Sequence, residues 1–202
     1  MTAEKADIWR AAEDYRQRYV ELQCLPVDIL TLIEVRLGID VIPFDKLFDK
    51  YSVDAAVLPD FSGIYVDKGS YKYLEGQPAW QFNRLRFSLA HELGHIVLHQ
   101  NLVGDLKFER IEDFWKWTRT YKQTRHGLEW EANEFGGRLL VPIESLKTQF
   151  DKFVAGAKPT FPQWWTNADL RDALARQLGN VYAVNQSVIA LRLDREDLWP
   201  AA

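Results

Sequence analysis

The 202-residue chain has one cysteine, one methionine and four histidines. Each scarcity excludes something. Cys24 alone can neither close an internal disulfide nor build a cysteine-rich zinc knuckle, so nothing points to an oxidising compartment. No stretch approaches the roughly 18 consecutive apolar residues of a membrane-spanning helix. Residues Met1 to Arg10 mix acids into an amphipathic pattern without an apolar h-region, so no secretory signal is expected. The expected location is the cytoplasm, with no membrane partner. Blocks of Lys or Arg are also missing. The 25 basic residues against 29 acidic ones leave a net charge of −4, a poor basis for non-specific nucleic-acid binding.

What is present suits a globular protein: 47% hydrophobic and 27% charged residues, with eight tryptophans for a large core or a lined groove. Residues 3–23 read as an amphipathic helix, with Ile8, Ala12, Tyr15, Tyr19 and Leu22 at helical spacing. Pro26 is expected to open a second helix that carries Ile29, Leu30, Leu32, Ile33 and Leu37 and stops at Gly38. Strands are expected at Ile39–Phe44, Ala55–Leu58 and Ser62–Val66, with turn chemistry at Pro59-Asp60. Residues 67–82 read as an irregular excursion. An almost all-round apolar helix follows from Asn83 to Gln100, the mark of a central, buried element. Residues 101–126 alternate charge and aromatic side chains, and another helix covers 127–140. The expected fold class is α+β, a small mostly antiparallel sheet packed with several helices.

The chemistry lies at His91-Glu92-Leu93-Gly94-His95, an H-E-x-x-H within that central helix. Residues four apart share a helix face, so both imidazoles can reach one zinc ion at about 2.0–2.1 Å. Glu92, one step round the helix, is placed to act as general base on water activated by the metal. A catalytic zinc needs a third protein ligand, and His99, His126, Glu129 and Glu131 compete for that role. On a straight helix His99 lies about 12 Å along the axis from His91, which suits a supporting position better than a ligand. On a helical wheel Ala132, Asn133, Gly136, Leu139 and Leu140 cluster with Glu129, within roughly 80° of it. Glu131, Glu134 and Arg138 fall on the other side. The wheel therefore predicts Glu129 pointing inward as the third ligand, Glu131 in solvent, and a Glu134–Arg138 ion pair along the helix. Asn133 would hydrogen-bond a ligand from one turn on. Without a metal, Glu129 would instead need a buried Arg84 or Arg86. The same ligand set also suits manganese or iron.

Arg86-Phe-Ser-Leu-Ala-His-Glu-Leu-Gly-His95 and the stretch Glu129-Trp-Glu-Ala-Asn-Glu-Phe-Gly-Gly-Arg-Leu-Leu-Val-Pro142 together resemble the two signature segments of the ImmA/IrrE family of bacterial and phage metallopeptidases. The resemblance covers roughly residues 25–145, taking in Leu25-Pro-Val-Asp-Ile29 and Leu37-Gly-Ile39. It implies a gluzincin-like minimal metallopeptidase core with one Zn2+ bound by His91, His95 and Glu129, and with Glu92 catalytic. It implies a protein substrate as well, a helix-turn-helix regulator encoded nearby, whose cleavage derepresses prophage, mobile-element or stress genes, or a toxin–antitoxin partner. Gly136-Gly137 stand where the family has alanines, a sign of unusually close helix packing. Residues 67–82 and 101–126 match no family pattern. Oxyanion or substrate contacts could come from Tyr65, Tyr71, Tyr73 or His126.

Lys158-Pro-Thr-Phe-Pro162 reads as a linker. It divides a metallopeptidase domain, 1–157, from a helix-turn-helix-like element, 158–202, packed on it. From residue 168 onward four Arg face five acids, so that element is expected to pack rather than to read DNA. Two functions from different classes remain: a zinc endopeptidase, or a zinc-containing interaction module that sequesters a repressor or antitoxin without cutting it. An intact Glu92 favours the enzyme.

Overall fold

The structure, a computed structural model, describes residues 4–21, 24–72, 79–103, 108, 110–120 and 127–200. Helix α1 (Lys5–Tyr19) buries Ile8 and Ala12, and stacks Tyr15 edge-on against Phe135, with ring centroids 6.0 Å apart. Helical structure resumes at α2 (Ile29–Thr31), where Asp28 caps Thr31, and passes into a π-helical turn at Leu32–Arg36. Pro26 therefore precedes the helix instead of opening it, and the Asp28 side chain supplies the N-terminal acceptor. Gly38, at φ +65°, ends the segment, because a left-handed residue is needed for the chain to turn into the sheet.

Three strands follow: β1 (Asp40–Phe44), β2 (Ala55–Val57) and β3 (Gly63–Asp67), in spatial order β1-β3-β2. β1 pairs with β3 in parallel, from Asp40 opposite Gly63 to Phe44 opposite Asp67, and β2 pairs with β3 antiparallel. The sheet is thus mixed. A short helix, α3 (Leu47–Tyr51), lies in the crossover that makes the β1–β3 pair parallel. β3 is central, which buries Ile64 and Val66 on one face; Tyr65 alternates to the other and stacks on Phe44 at 5.1 Å.

Within the segment read as irregular, α4 (Lys68–Tyr71) forms under the Asp67 cap, and α5 (Ala79–Val103) begins before the expected Asn83. α5 lies across β2 and packs most extensively against α7 (Leu128–Leu140), with α6 (Ile111–Thr120) between them in sequence. Leu85, Leu89 and Leu93 of α5 and Phe135 and Leu139 of α7 are fully buried in one continuous core with the sheet and α1. α8 (Ile143–Ala157), a helix for which the sequence raised no expectation, leads to a 3-10 turn at Trp164–Thr166 and then to α9 (Ala168–Tyr182) and α10 (Gln186–Arg195). α9 runs through Gly179, where a Cβ would stand 2.9 Å from the Val184 carbonyl, and breaks at Ala183, at φ +49°. α10 returns to α1 and α7: Lys5 Nζ donates to the Arg195 carbonyl at 2.8 Å, and Arg195 pairs with Glu134 at 3.1 Å.

Candidate metal centre

The centre is assembled where α5 crosses α7. At Gly94 of α5 a Cβ would lie 3.0 Å from both the Cα and the carbonyl oxygen of Ala132. At Gly136 of α7 it would lie 3.1 Å from the His91 amide nitrogen and 3.3 Å from the Ala90 carbonyl oxygen. The two glycines let the helix backbones come almost into contact. Gly137 plays no part in this, since its nearest neighbour beyond its own helix is the Arg192 Cδ at an ordinary 3.5 Å.

The crossing sets the first turn of α7 beside the H-E-x-x-H face. His91 Nε2 lies 3.1 Å from His95 Nε2 and 3.4 Å from Glu129 Oε2, and His95 Nε2 lies 3.8 Å from Glu129 Oε1. Ligands held at about 2.0–2.1 Å in a tetrahedron stand about 3.3–3.4 Å apart, so this triangle has the dimensions of a zinc site. The Nδ1 atoms carry the same message. His91 Nδ1 donates to Asn133 Oδ1 at 3.1 Å, and His95 Nδ1 meets His99 Nδ1 at 2.9 Å. With Nδ1 protonated on both rings, two Nε2 lone pairs and a carboxylate converge on one point. Three acceptors aimed at one another need a cation between them, and the residues fit the metal that the sequence pattern implies.

Burial holds His95 neutral, pushing its pKa down to about 4 against the pull of Glu129. Burial opposes the His91 cation as well, but in the metal-free site the hydrogen bond that a protonated His91 would make to Glu129, with the charges of Glu92 and Glu129, outweighs burial, and its pKa rises. Glu92 is buried, and Val57 of β2 donates its backbone N–H to Glu92 Oε2 at 2.7 Å. Desolvation pushes the Glu92 carboxyl up to about 7, against the pull of His91 and the Val57 amide. A divalent cation alongside would favour the carboxylate.

These groups line a cavity of about 290 Å³ whose other walls include Ser52, Asp54, Arg84, Ser88 and Trp115. Arg84 is clamped onto the buried Asp54, its Nη2 donating to Oδ1 at 2.8 Å and its Nε 2.7 Å from Oδ2, and lies over the rings of Phe48 and Trp80. Trp115 of α6 stacks edge-on upon Tyr51 of α3 at 5.0 Å, and Tyr51 donates to Glu112 at 2.8 Å, which fastens α6 to the cavity's rim. Sequence reasoning passed over Asp54 and Trp115 as cavity walls, and named Arg84 only as a partner for Glu129. The signal for Asp54 was a single acid beside the apolar run Ala55–Leu58, since an acid about to be buried requires a cationic partner.

The wheel chose Glu129 for a reason that the structure overturns. Glu129 is not buried; its side chain is 43% exposed and looks into the open cavity. Glu131, expected in solvent, is 2% exposed and accepts from His99 Nε2 at 3.1 Å. Glu134 and Arg138 are buried too and do not pair with each other. Glu134 accepts from Trp9 Nε1 at 3.0 Å, while Arg138 binds Glu13 and Glu196. Helix α7 is packed by α1, α5 and α10 on the faces that the wheel gave to solvent, and its exposed positions, Glu129 and Asn133, are the ones that line the cavity. Neither Arg84 nor Arg86 pairs with Glu129, Arg86 being spent on the carbonyls of Val27 (2.6 Å) and Ala183 (3.1 Å). Tyr65 and Tyr71 do not line the cavity; the first faces Phe44 across the sheet and the second packs against the core. Tyr73 and His126 lie outside the described residues.

Residues 83–193, just over half of the chain, match the model of a peptidase family described as the IrrE N-terminal-like domain. The match contains α7 and all but the first turn of α5, and continues into α10. No curated protein matches the chain.

Proposed function

The chain belongs to the peptidase family of the IrrE N-terminal-like domain, and from that premise we propose that it is a zinc-dependent endopeptidase cutting a regulatory protein of the helix-turn-helix repressor or antitoxin type. The observation that carries this reading is the convergence of two imidazole lone pairs and one carboxylate beside a second, separately anchored carboxylate. Among the described residues no helix is long and apolar enough to cross a membrane, and Cys24 is an exposed free thiol. Both support a cytoplasmic setting for such an enzyme.

His91, His95 and Glu129 would hold the ion, which when bound supplies Lewis acidity toward water and a peptide carbonyl. The chain's own groups do the rest. Asn133 and His99 hold the two rings with Nε2 turned to the metal. Glu92 is the general base: its Oε2 is tethered to Val57, leaving Oε1 to take a proton from water and return one to the departing amine. The Trp115, Asp54 and Arg84 walls would orient a peptide segment over the cavity.

The test is to load the protein with zinc, measure its content, and incubate it with the helix-turn-helix regulator encoded beside it. Cleavage by the wild type, abolished in Glu92→Gln with zinc content unchanged, is the expected result. A wild-type protein that binds zinc and the regulator, yet leaves the regulator intact, would make it a sequestering module.

A further inference from the structure

His99 and Glu131 stand behind the metal-facing side of His95; His99 holds that ring, and Glu131 has no part in the chemistry above. Both are buried, at 0% and 2% exposure, and they complete a chain of contacts: His95 Nδ1 to His99 Nδ1 at 2.9 Å, then His99 Nε2 to Glu131 Oε2 at 3.1 Å. The chain has a direction. Glu131 can only accept, so His99 carries its proton on Nε2; its Nδ1 is then an acceptor and takes the Nδ1–H of His95. The lone pair of His95 is left on Nε2, 3.1 Å from that of His91. The opposite assignment, with His99 donating to His95 Nδ1, would put a proton on His95 Nε2 and remove it from the ligand set.

Glu131 has a second peculiarity. Its Oε1 is buried with no hydrogen-bond partner among the described residues. A buried carboxylate held by one neutral ring is costly. The cost is offset if a cation sits at the far end of the same chain, where it polarises His95, then His99, and so reaches Glu131 through two hydrogen bonds.

We propose that His99 and Glu131 are positioning residues for the metal, a relay that fixes the tautomer of His95 and lends its ring the basicity of a carboxylate. The proposal rests on His91, His95 and Glu129 being the ligands. It predicts that the relay acts on metal affinity in a way that a packing pair would not.

The experiment measures the zinc dissociation constant by chelator competition for wild type, Glu131→Gln, His99→Phe and the double variant, with metal-free melting curves for each. Glu131→Gln keeps the shape and still accepts from His99, but lacks the charge. It should bind zinc about 10-fold more weakly, while its metal-free form melts at or above the wild-type temperature. His99→Phe should lose about 10–100-fold in affinity. In that background Glu131→Gln should change affinity no further, because the route from carboxylate to ligand is already cut. Zinc affinity within twofold of wild type in the folded Glu131→Gln protein would overturn the relay. So would equal losses on either background. Failure of the metal site itself looks different: wild type would not take up one zinc, or His95→Ala would retain it.

Discussion

A methyl group added at Gly94 tests whether the helix crossing builds the centre. The added Cβ meets the Ala132 Cα and carbonyl oxygen at 3.0 Å and the Phe135 Cβ at 3.3 Å. Two of these three atoms are main chain and cannot rotate away, so α5 and α7 must part by a few tenths of an ångström. Overpacking of this kind costs about 1–3 kcal/mol. Against it stands the better helix propensity of alanine, about 1 kcal/mol. Rigid neighbours put the first figure toward its upper end, leaving Gly94→Ala less stable by about 1–2 kcal/mol. For a chain of this size that lowers the melting temperature by roughly 2–8 °C. Gly136→Ala, with contacts of 3.1–3.3 Å to the Ala90 and His91 backbone, should be milder in the same direction. Gly137→Ala, whose Cβ finds only the Arg192 Cδ at 3.5 Å, should gain about 0.5–1 kcal/mol. Urea unfolding of the metal-free proteins measures the series, and zinc affinity should fall with Gly94→Ala and stay level with Gly137→Ala. If Gly94→Ala and Gly137→Ala stabilise the protein alike, the close crossing does not govern the site.

Arg86→Ala leaves the Val27 and Ala183 carbonyls without their donor, at about 1–3 kcal/mol each. Arg86→Lys should recover little, since one ammonium cannot span both, and denaturant midpoints of the two variants check this. Asp60 accepts from the hydroxyl and amide of Ser62, bonds that hold its carboxyl below the usual range. Its contribution to stability is present above the unfolded carboxylate's pKa, about 3.9, and is lost as pH falls through the folded value. The melting-temperature gap between wild type and Asp60→Asn should therefore close on acidification from pH 6 to pH 3.

The elements with a strong single period were plain in the sequence. Apolar spacing located α1, α5 and the three strands to within a few residues, and the i, i+4 histidines announced the site. Less legible was anything decided by enclosure from several directions. Glu131, Glu134 and Arg138 look like a solvated stripe on α7, but each meets a partner from another helix: His99, Trp9 with Arg195, and Glu13 with Glu196. Pairings between residues 32 to 125 positions apart leave no local pattern. Strand order escaped for the same reason, since the parallel β1–β3 pair depends on where the α3 crossover returns the chain. Gly136-Gly137 could be read as tight packing, but only the crossing shows that one glycine carries it.

The metal-facing groups and the proposed base share α5, but different parts of the molecule fix their orientations. His91, His95 and Glu129 belong to two helices locked by a glycine crossing, whereas the orientation of the Glu92 carboxylate is held by one amide of the edge strand β2. Ion retention and base alignment are consequently separable properties. Distortion of the sheet edge would leave a loaded but idle protein, and a partner that grips β2 would have a mechanical handle on the base without touching a ligand.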